Sequence, residues 1–257
     1  MYYTLYMKYQ KDYASLQPKM YETKERIRKA SRMYLLLKDY FSKYKIPLSE
    51  LSVLDIGSST GIIDNHLSRY FKSVTGIDID KDAVVFAQKT FKQKNLKFKV
   101  DDAMKLSFPS NSFDIVICAQ IYEHVPNAKK LMSEIYRVLK PNGVCYFAAL
   151  NKFWPIEPHY NLPFLAWIPK KYAHHYLRLI RKGNHYYETI KTPQGLKKLC
   201  EKFTIIRYTG VILRNPQKYG FENQINSPLK RIFAFFISPI SNYTAPTLFW
   251  ILKKPIT

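Results

Sequence analysis

The run Val53-Leu-Asp-Ile-Gly-Ser-Ser-Thr-Gly61 holds the residues best placed for chemistry. An apolar stretch carries an acid, Asp55, and passes into a turn bracketed by Gly57 and Gly61. A buried strand that enters a glycine-bearing turn and then a helix is a nucleotide-binding start. Glycine lets backbone approach the ligand, and the helix N-terminus offers free N–H groups. Two versions of that start are excluded. The dinucleotide fingerprint G-x-G-x-x-G needs glycine where this chain has Ser59 and Ile62. The phosphate-cradling loop needs Gly-Lys-Ser/Thr, which is absent. Cys118, Cys145 and Cys200 have no Cys-x-x-Cys spacing and are odd in number, so neither a disulfide framework nor a zinc site is indicated. Reduced thiols are expected.

The elements that must position this turn alternate. Residues 18–45 read as a helix, because Ile27, Met33, Tyr34, Leu36, Leu37, Tyr40 and Phe41 recur mostly at spacings of three and four, and Pro47 ends it. Strands are expected at 51–56, 74–78, 96–100, 112–118 and 144–150, with helices between them at 81–92, capped by Asp80, and at 127–139. Such alternation means a parallel sheet with helices on both faces. After residue 150 the rhythm breaks. Residues 152–190, rich in proline and aromatic side chains, read as an insertion. A helix at 193–202, with Thr192-Pro193 as cap and first turn, a strand-like stretch at 204–213, a second insertion and a last strand at 247–252 follow.

Five segments in register resemble the class I S-adenosylmethionine-dependent methyltransferases, of the type 11 and ubiquinone-methyltransferase-like kind. The first is the run 53–61, against the family's VLDIGxGxG. The others are Gly76-Ile-Asp-Ile-Asp80, then Asp102-Ala103 with Leu106–Pro109 and Ser112-Phe-Asp114, then Glu123-His-Val-Pro126, and last Glu134–Gly143. The resemblance covers residues 50–151 and, more loosely, the closing strands. It implies a Rossmann-like, doubly wound, mostly parallel α/β sheet of seven strands with the last antiparallel. It also implies S-adenosyl-L-methionine as cofactor, held by Asp55, Gly57, Ser59, Gly61, Asp78, Ile79, Asp102, Ala103 and Gln120. Asp78 would take the ribose hydroxyls, Asp102 the adenine amine, and Gln120 would line the methionine part. The family usually has glycine where Ser59 stands. If that position needs a positive φ, serine costs roughly 1–2 kcal/mol, or its hydroxyl adds a contact.

Methyl transfer from a sulfonium is an in-line displacement in which the protein mainly aligns the reactants. A hydroxyl acceptor calls for a base. His124, with Glu123 beside it, is the candidate the resemblance implies. Ubiquinone-pathway O-methyltransferases look similar here and can bind a divalent metal through Glu-x-x-Glu-His. This chain has Gln120 at the first carboxylate, and no metal is expected.

The chain of 257 residues has 41 Lys+Arg against 19 Asp+Glu, net +22, and residues 151–257 alone hold 17 basic and 4 acidic residues. An ordinary apolar fraction of 47% excludes disorder and collagen. One methyltransferase domain over 1–257 is expected. It would comprise a helical cap (1–50), a cofactor-binding core (51–151), an acceptor lid (152–190) with Trp154, His159, Tyr160 and Tyr186, and closing strands (191–257) with a second, basic and aromatic insertion. The acceptor is expected to be a hydroxyl on a lipid-linked glycan or an amphiphilic small molecule. An RNA methyltransferase and a non-catalytic cofactor-binding adaptor are the alternatives, although no motif for exocyclic amines or pyrimidine attack is present. The N-terminal residues 1–13 are too polar for a leader, so a cytoplasmic protein is expected. Residues 228–240 pair Lys230 and Arg231 with a dense apolar stretch too short to span a bilayer, which suits a peripheral position on an anionic membrane.

Overall fold

The computed structural model describes residues 12–256, and the polar stretch 1–11 lies outside them. A short helix α1 (Tyr13–Leu16) and a single tight turn lead into α2 (Thr23–Ser42), which buries Ala30, Met33, Leu36, Leu37, Tyr40 and Phe41 along one face. The α/β core then runs β1 (Ser52–Ile56), α3 (Ile62–Leu67), β2 (Ser73–Asp78), α4 (Lys81–Thr90), β3 (Leu96–Val100), β4 (Phe113–Ala119), α5 (Ala128–Val138) and β5 (Leu139–Leu150). Asp80 caps α4 by accepting from the Ala83 N–H at 3.1 Å, as its place before the helix led one to expect. Beyond β5 come a small two-stranded ribbon, β6 (Ile156–Glu157) with β7 (Leu162–Pro163), and the helices α6 (Lys170–Leu179) and α7 (Pro193–Leu199). The chain closes with β8 (Thr204–Arg207), α8 (Thr209–Arg214), α9 (Pro228–Ile237), α10 (Ser241–Thr244) and β9 (Thr247–Lys253).

The sheet has seven strands in the order β3-β2-β1-β4-β5-β9-β8. The five core strands pair in parallel, and β9 runs antiparallel to both of its neighbours. This is the Rossmann-like arrangement, and the chain order reverses at β1, between β2 and β4. Its central strands are apolar on both sides. Val53, Leu54, Ile115, Val116, Ile117 and Cys118 are all fully buried, because helices cover both faces. The three cysteines are free and buried.

The strand expected at 204–213 is cut short at Arg207. Tyr208 is buried, and its hydroxyl donates to Asp39 Oδ2 at 3.0 Å. Gly210 then lies so close to the Ser238 carbonyl that a β-carbon would sit 2.6 Å from it. These two anchors turn the chain into α8. The edge strand β8 keeps only four residues, which limits exposed pairing groups.

Candidate functional site

The carboxyl ends of β1, β2 and β4 open on a cavity of about 470 Å³ at the point where strand order reverses. Gly57 and Ser59 line it from the turn after β1, Asp78 and Ile79 from the end of β2, and Asp101 and Ala103 from beyond β3. Gln120, Ile121 and His124 line it after β4. The N-terminal cap adds Tyr13, Met20, Arg26 and Lys29, and the insertion adds Pro158 and His159.

The turn is held by backbone. The Gly57 and Ser58 N–H groups donate to the Ile77 carbonyl at 2.8 and 2.9 Å. Gly57 has φ +80°, and a β-carbon there would sit 2.1 Å from Ile121 Cδ1, within the cradle itself. Ser59 has φ +56°, a conformation that L side chains resist. Its buried hydroxyl has no hydrogen-bond partner among the described residues, so within the protein no contact offsets that strain.

Asp78 is the carboxylate best placed for a ligand. Oδ2 accepts from the Ser59 N–H at 2.8 Å and Oδ1 from the Asp80 N–H at 3.0 Å. A carboxylate oxygen has two lone pairs, so each keeps one for a group in the cavity. Burial raises its pKa, against the pull of these N–H groups. Asp55 is buried beneath the turn and does not line the cavity. Burial pushes its carboxyl up to about 7, while Arg26 opposes the shift. Arg26 is itself buried and lies within the field of Asp55, Asp64 and Asp78, and its Nε–H has no partner among the described residues. Gly61 caps α3 and packs on Phe98 rather than lining the cavity.

Asp102 does not line the cavity, whereas its neighbour Asp101 does. The reason is local. Asp102 Oδ1 accepts from the Met104 N–H at 2.7 Å and closes its own Asx turn, which directs it away. In the insertion, His159 reaches the cavity and Trp154, Tyr160 and Tyr186 do not. Tyr186 instead joins Leu162, Leu165, Ala173 and Leu177 in a small separate core, with Tyr160 packed against it.

Around His124 and His159 the fold gathers acids. His159 Nδ1 lies 2.7 Å from Glu157 Oε1, and Glu157 Oε2 accepts from the backbone N–H groups of His159 and Tyr160, both at 2.9 Å. Burial disfavours the His159 imidazolium, but the Glu157 hydrogen bond and the charges of Glu188, Glu157 and Glu123 outweigh it and raise the pKa. The His124 ring lies 4.9 Å from that of His159, edge to face. Burial, with His159 nearby, lowers its pKa to about 3, so it is neutral. Glu123 is buried, its carboxyl is pushed up to about 7 by that burial, and neither oxygen has a hydrogen-bond partner in another described residue. Glu123, His124 and His159 each offer a donor atom within 4.8 Å of the others, a set that can hold a divalent cation. The sequence showed only the first two together.

Arg26, Lys29 and Met20 escaped the sequence reading, which expected a cap here but named no contact residue. Arg26 and Lys29 stand one turn apart in the polar lead of α2, and that spacing was the available signal. Glu157 and Glu188 escaped too, though they are two of only four acids in residues 151–257.

S-adenosylmethionine carries a ribose diol, an adenine and an amino acid end. The residues fit it. Gly57 leaves the cradle open, Asp78 presents two anchored oxygens to a diol, Ala103 leaves room for a ring, and Arg26 lines the cavity with a cationic side chain suited to a carboxylate. Replacing Asp78 with alanine removes two charge-assisted bonds. S-adenosylhomocysteine should then bind roughly 30- to 1000-fold more weakly by calorimetry, and a change under about threefold would make Asp78 structural only. Ser59→Gly relieves the left-handed strain and should stabilise the fold by about 1 kcal/mol, which thermal unfolding detects as a rise of about 2–4 °C.

A family model described as a methyltransferase domain matches residues 54–147, the stretch from β1 into β5. The ubiquinone biosynthesis O-methyltransferase of Bartonella bacilliformis is 30% identical over 155 residues, which cover 60% of this chain and 59% of that protein, so the match spans less than two thirds of the relative. Two solved structures are similar in fold. One, from the complex of the Haloferax volcanii Trm112 methyltransferase activator with a methyltransferase, has a TM-score of 0.55 at 15% identity and covers 96% of this chain and 99% of that one. The other, Haemonchus contortus phosphoethanolamine N-methyltransferase 2 with phosphomonomethylethanolamine and S-adenosylhomocysteine, has a TM-score of 0.52 at 20% identity and covers 87% and 52%. In its methyltransferase-domain match over residues 54–147, its seven-stranded sheet order and its similarity to an O-methyltransferase, this chain is similar to the class I S-adenosylmethionine-dependent methyltransferases.

Proposed function

We propose that this chain methylates a hydroxyl of an amphiphilic small molecule or a lipid-linked glycan. One observation carries the reading. The cavity that Asp78 lines also receives His159, a histidine paired with a buried carboxylate. Bound in the cleft, S-adenosylmethionine supplies an electrophilic methyl group on a sulfonium.

The protein's own part is to place the acceptor and take its proton. Glu157 is fixed by two backbone N–H groups and accepts the His159 Nδ1–H, which leaves Nε2 as the ring's acceptor. Nε2 then takes the hydroxyl proton as the oxygen attacks, and the imidazolium forms among Glu157, Glu188 and Glu123. Tyr13 packs its ring 5.3 Å from that of His124 and helps to exclude water from this end. The name of the Bartonella relative, an O-methyltransferase, supports a hydroxyl as acceptor.

A second reading is favoured by the unpartnered Glu123 carboxylate. A divalent cation on Glu123, His124 and His159 would ionise the hydroxyl directly. The two readings separate by measurement. If His159 is the base, turnover survives chelation and climbs with pH through a pKa above the ordinary 6.5, because only the neutral ring accepts a proton. Glu157→Gln removes the partner that favours the imidazolium, so the limb should move to lower pH. His159→Ala should lose about 10²- to 10⁴-fold in kcat. Turnover lost to EDTA and restored by Mg²⁺ would favour the cation instead.

The acceptor class is tested by transfer of a labelled methyl group to lipid, glycan, small-molecule and RNA fractions of whole cells. Label is expected in the first three. Label confined to RNA would overturn the reading, and cofactor binding with no label anywhere would leave an adaptor.

A further inference from the structure

We propose that α9, together with the turn that follows it, docks this protein on an anionic lipid surface. Ten residues long, the helix buries only Ala234. Leu229 is 79% exposed, Ile232 55%, Phe233 65% and Phe236 73%. At about 100° per residue these four side chains share one face, and Ala234 points the opposite way into the protein. Ile240, exposed beyond the helix end, adds to the same apolar surface. Single exposed apolar side chains are ordinary, but a contiguous set of large ones is not. No described helix is long and apolar enough to cross a membrane, so the fitting geometry is a helix lying in the interface.

Charge selects the occupant. Lys230 stands exposed at the flank of the apolar face, where its stem can reach along the helix and hold its charge at headgroup level, and Arg231 is exposed farther round, on the side nearer Ala234. No acid follows Glu222, and the whole chain carries net +22. A second copy would bring the same cations against these, and an electroneutral partner would leave them uncompensated. Anionic headgroups satisfy both the charge and the apolar face.

Position links this surface to the cleft. Because β9 is antiparallel to β5, Thr247 pairs with Leu150, and the residues just before Thr247 lie at the carboxyl edge of the sheet. Asn151 fixes them there, its side-chain N–H groups donating to the carbonyls of Tyr243 and Ala245 at 3.1 and 3.0 Å. The cavity opens on the same edge. The segment that joins α9 to β9 thus ends at the edge of the sheet on which the cleft opens.

Vesicle sedimentation tests the proposal without reference to methyl transfer. The full chain should pellet with phosphatidylcholine–phosphatidylglycerol vesicles at low salt, far less with phosphatidylcholine alone, and progressively less as salt rises. K230Q/R231Q should weaken partition about 30-fold, and Phe233→Ser with Phe236→Ser about tenfold or more. Retention of the parent melting temperature shows that each variant is folded. Should a variant not fold, hydrogen exchange on the unaltered chain decides, with protection of 228–237 expected on adding anionic vesicles. No pelleting with anionic vesicles at low salt overturns the proposal. So does pelleting that neither substitution changes, or a dimer by light scattering that protects 228–237 without lipid.

Discussion

The site depends on a backbone staple between two strand ends. The N–H groups of Gly57 and Ser58 converge on the Ile77 carbonyl, and the next N–H, of Ser59, meets the Asp78 carboxylate. To deliver three successive donors to one strand end, the chain alternates conformations and takes positive φ at residues 57, 59 and 61. Glycine meets that demand twice and serine once. The staple gives the cavity its floor and fixes Asp78 in space, and it starts α3 in the direction that lets α2 pack over it. Neighbouring groups in the cleft are therefore placed relative to a rigid backbone, which is the form of preorganisation that alignment chemistry needs.

Around that floor lie two clusters of buried ionisable groups with opposite designs. Near the turn, Asp55 and Asp64 crowd together in full burial, which raises the pKa of both; Asp55 raises Asp64 further, whereas the Asp64 hydrogen bond lowers Asp55. Two unscreened carboxylates cannot both stay ionised there, so the pair holds a proton, and Arg26 supplies the nearby positive charge. At the other end, Glu123, Glu157 and Glu188 surround two histidines. Here only Glu157 is fully satisfied by hydrogen bonds, while Glu123 is left without a partner among the described residues. An unpartnered buried carboxyl destabilises a fold by about 1–3 kcal/mol or more. Such a cost, set beside an open cavity, is characteristic of groups kept for a ligand or a reaction.

Much of this was legible in the sequence. The alternation of short apolar runs and amphipathic helices gave the five parallel strands, and the glycine turn with its trailing acid gave the position of the cleft. Those signals are local, since each needs only the side-chain period and a turn residue. Contacts made by residues from far along the chain were only partly legible. His159 was expected in the acceptor lid, but Glu157 and their pairing were not, because both sit in an irregular insertion whose path depends on long-range bonds, such as Thr189 N–H to the Glu123 carbonyl and Lys191 N–H to the Tyr122 hydroxyl. No period announces those. The choice of Asp101 over Asp102 turned on a single Asx turn, which is below the resolution of motif spacing. The strand expected at 204–213 failed for a similar reason, because Tyr208 and Gly210 answer to Asp39 and Ser238 rather than to their sequence neighbours.

The antiparallel last strand ties these parts together. A parallel strand next to β5 would begin at the amino edge of the sheet and carry the preceding chain away from the cleft. Running the other way, β9 begins at the carboxyl edge, level with Leu150. Both of the chain's irregular segments, the one that leaves β5 and the one that enters β9, are thereby held over one edge, and Asn151 bridges them. The first supplies the histidine and its carboxylate. The second supplies the apolar, cationic surface. A single reversal of strand direction thus brings the ends of both irregular segments to the edge of the sheet on which the cleft opens.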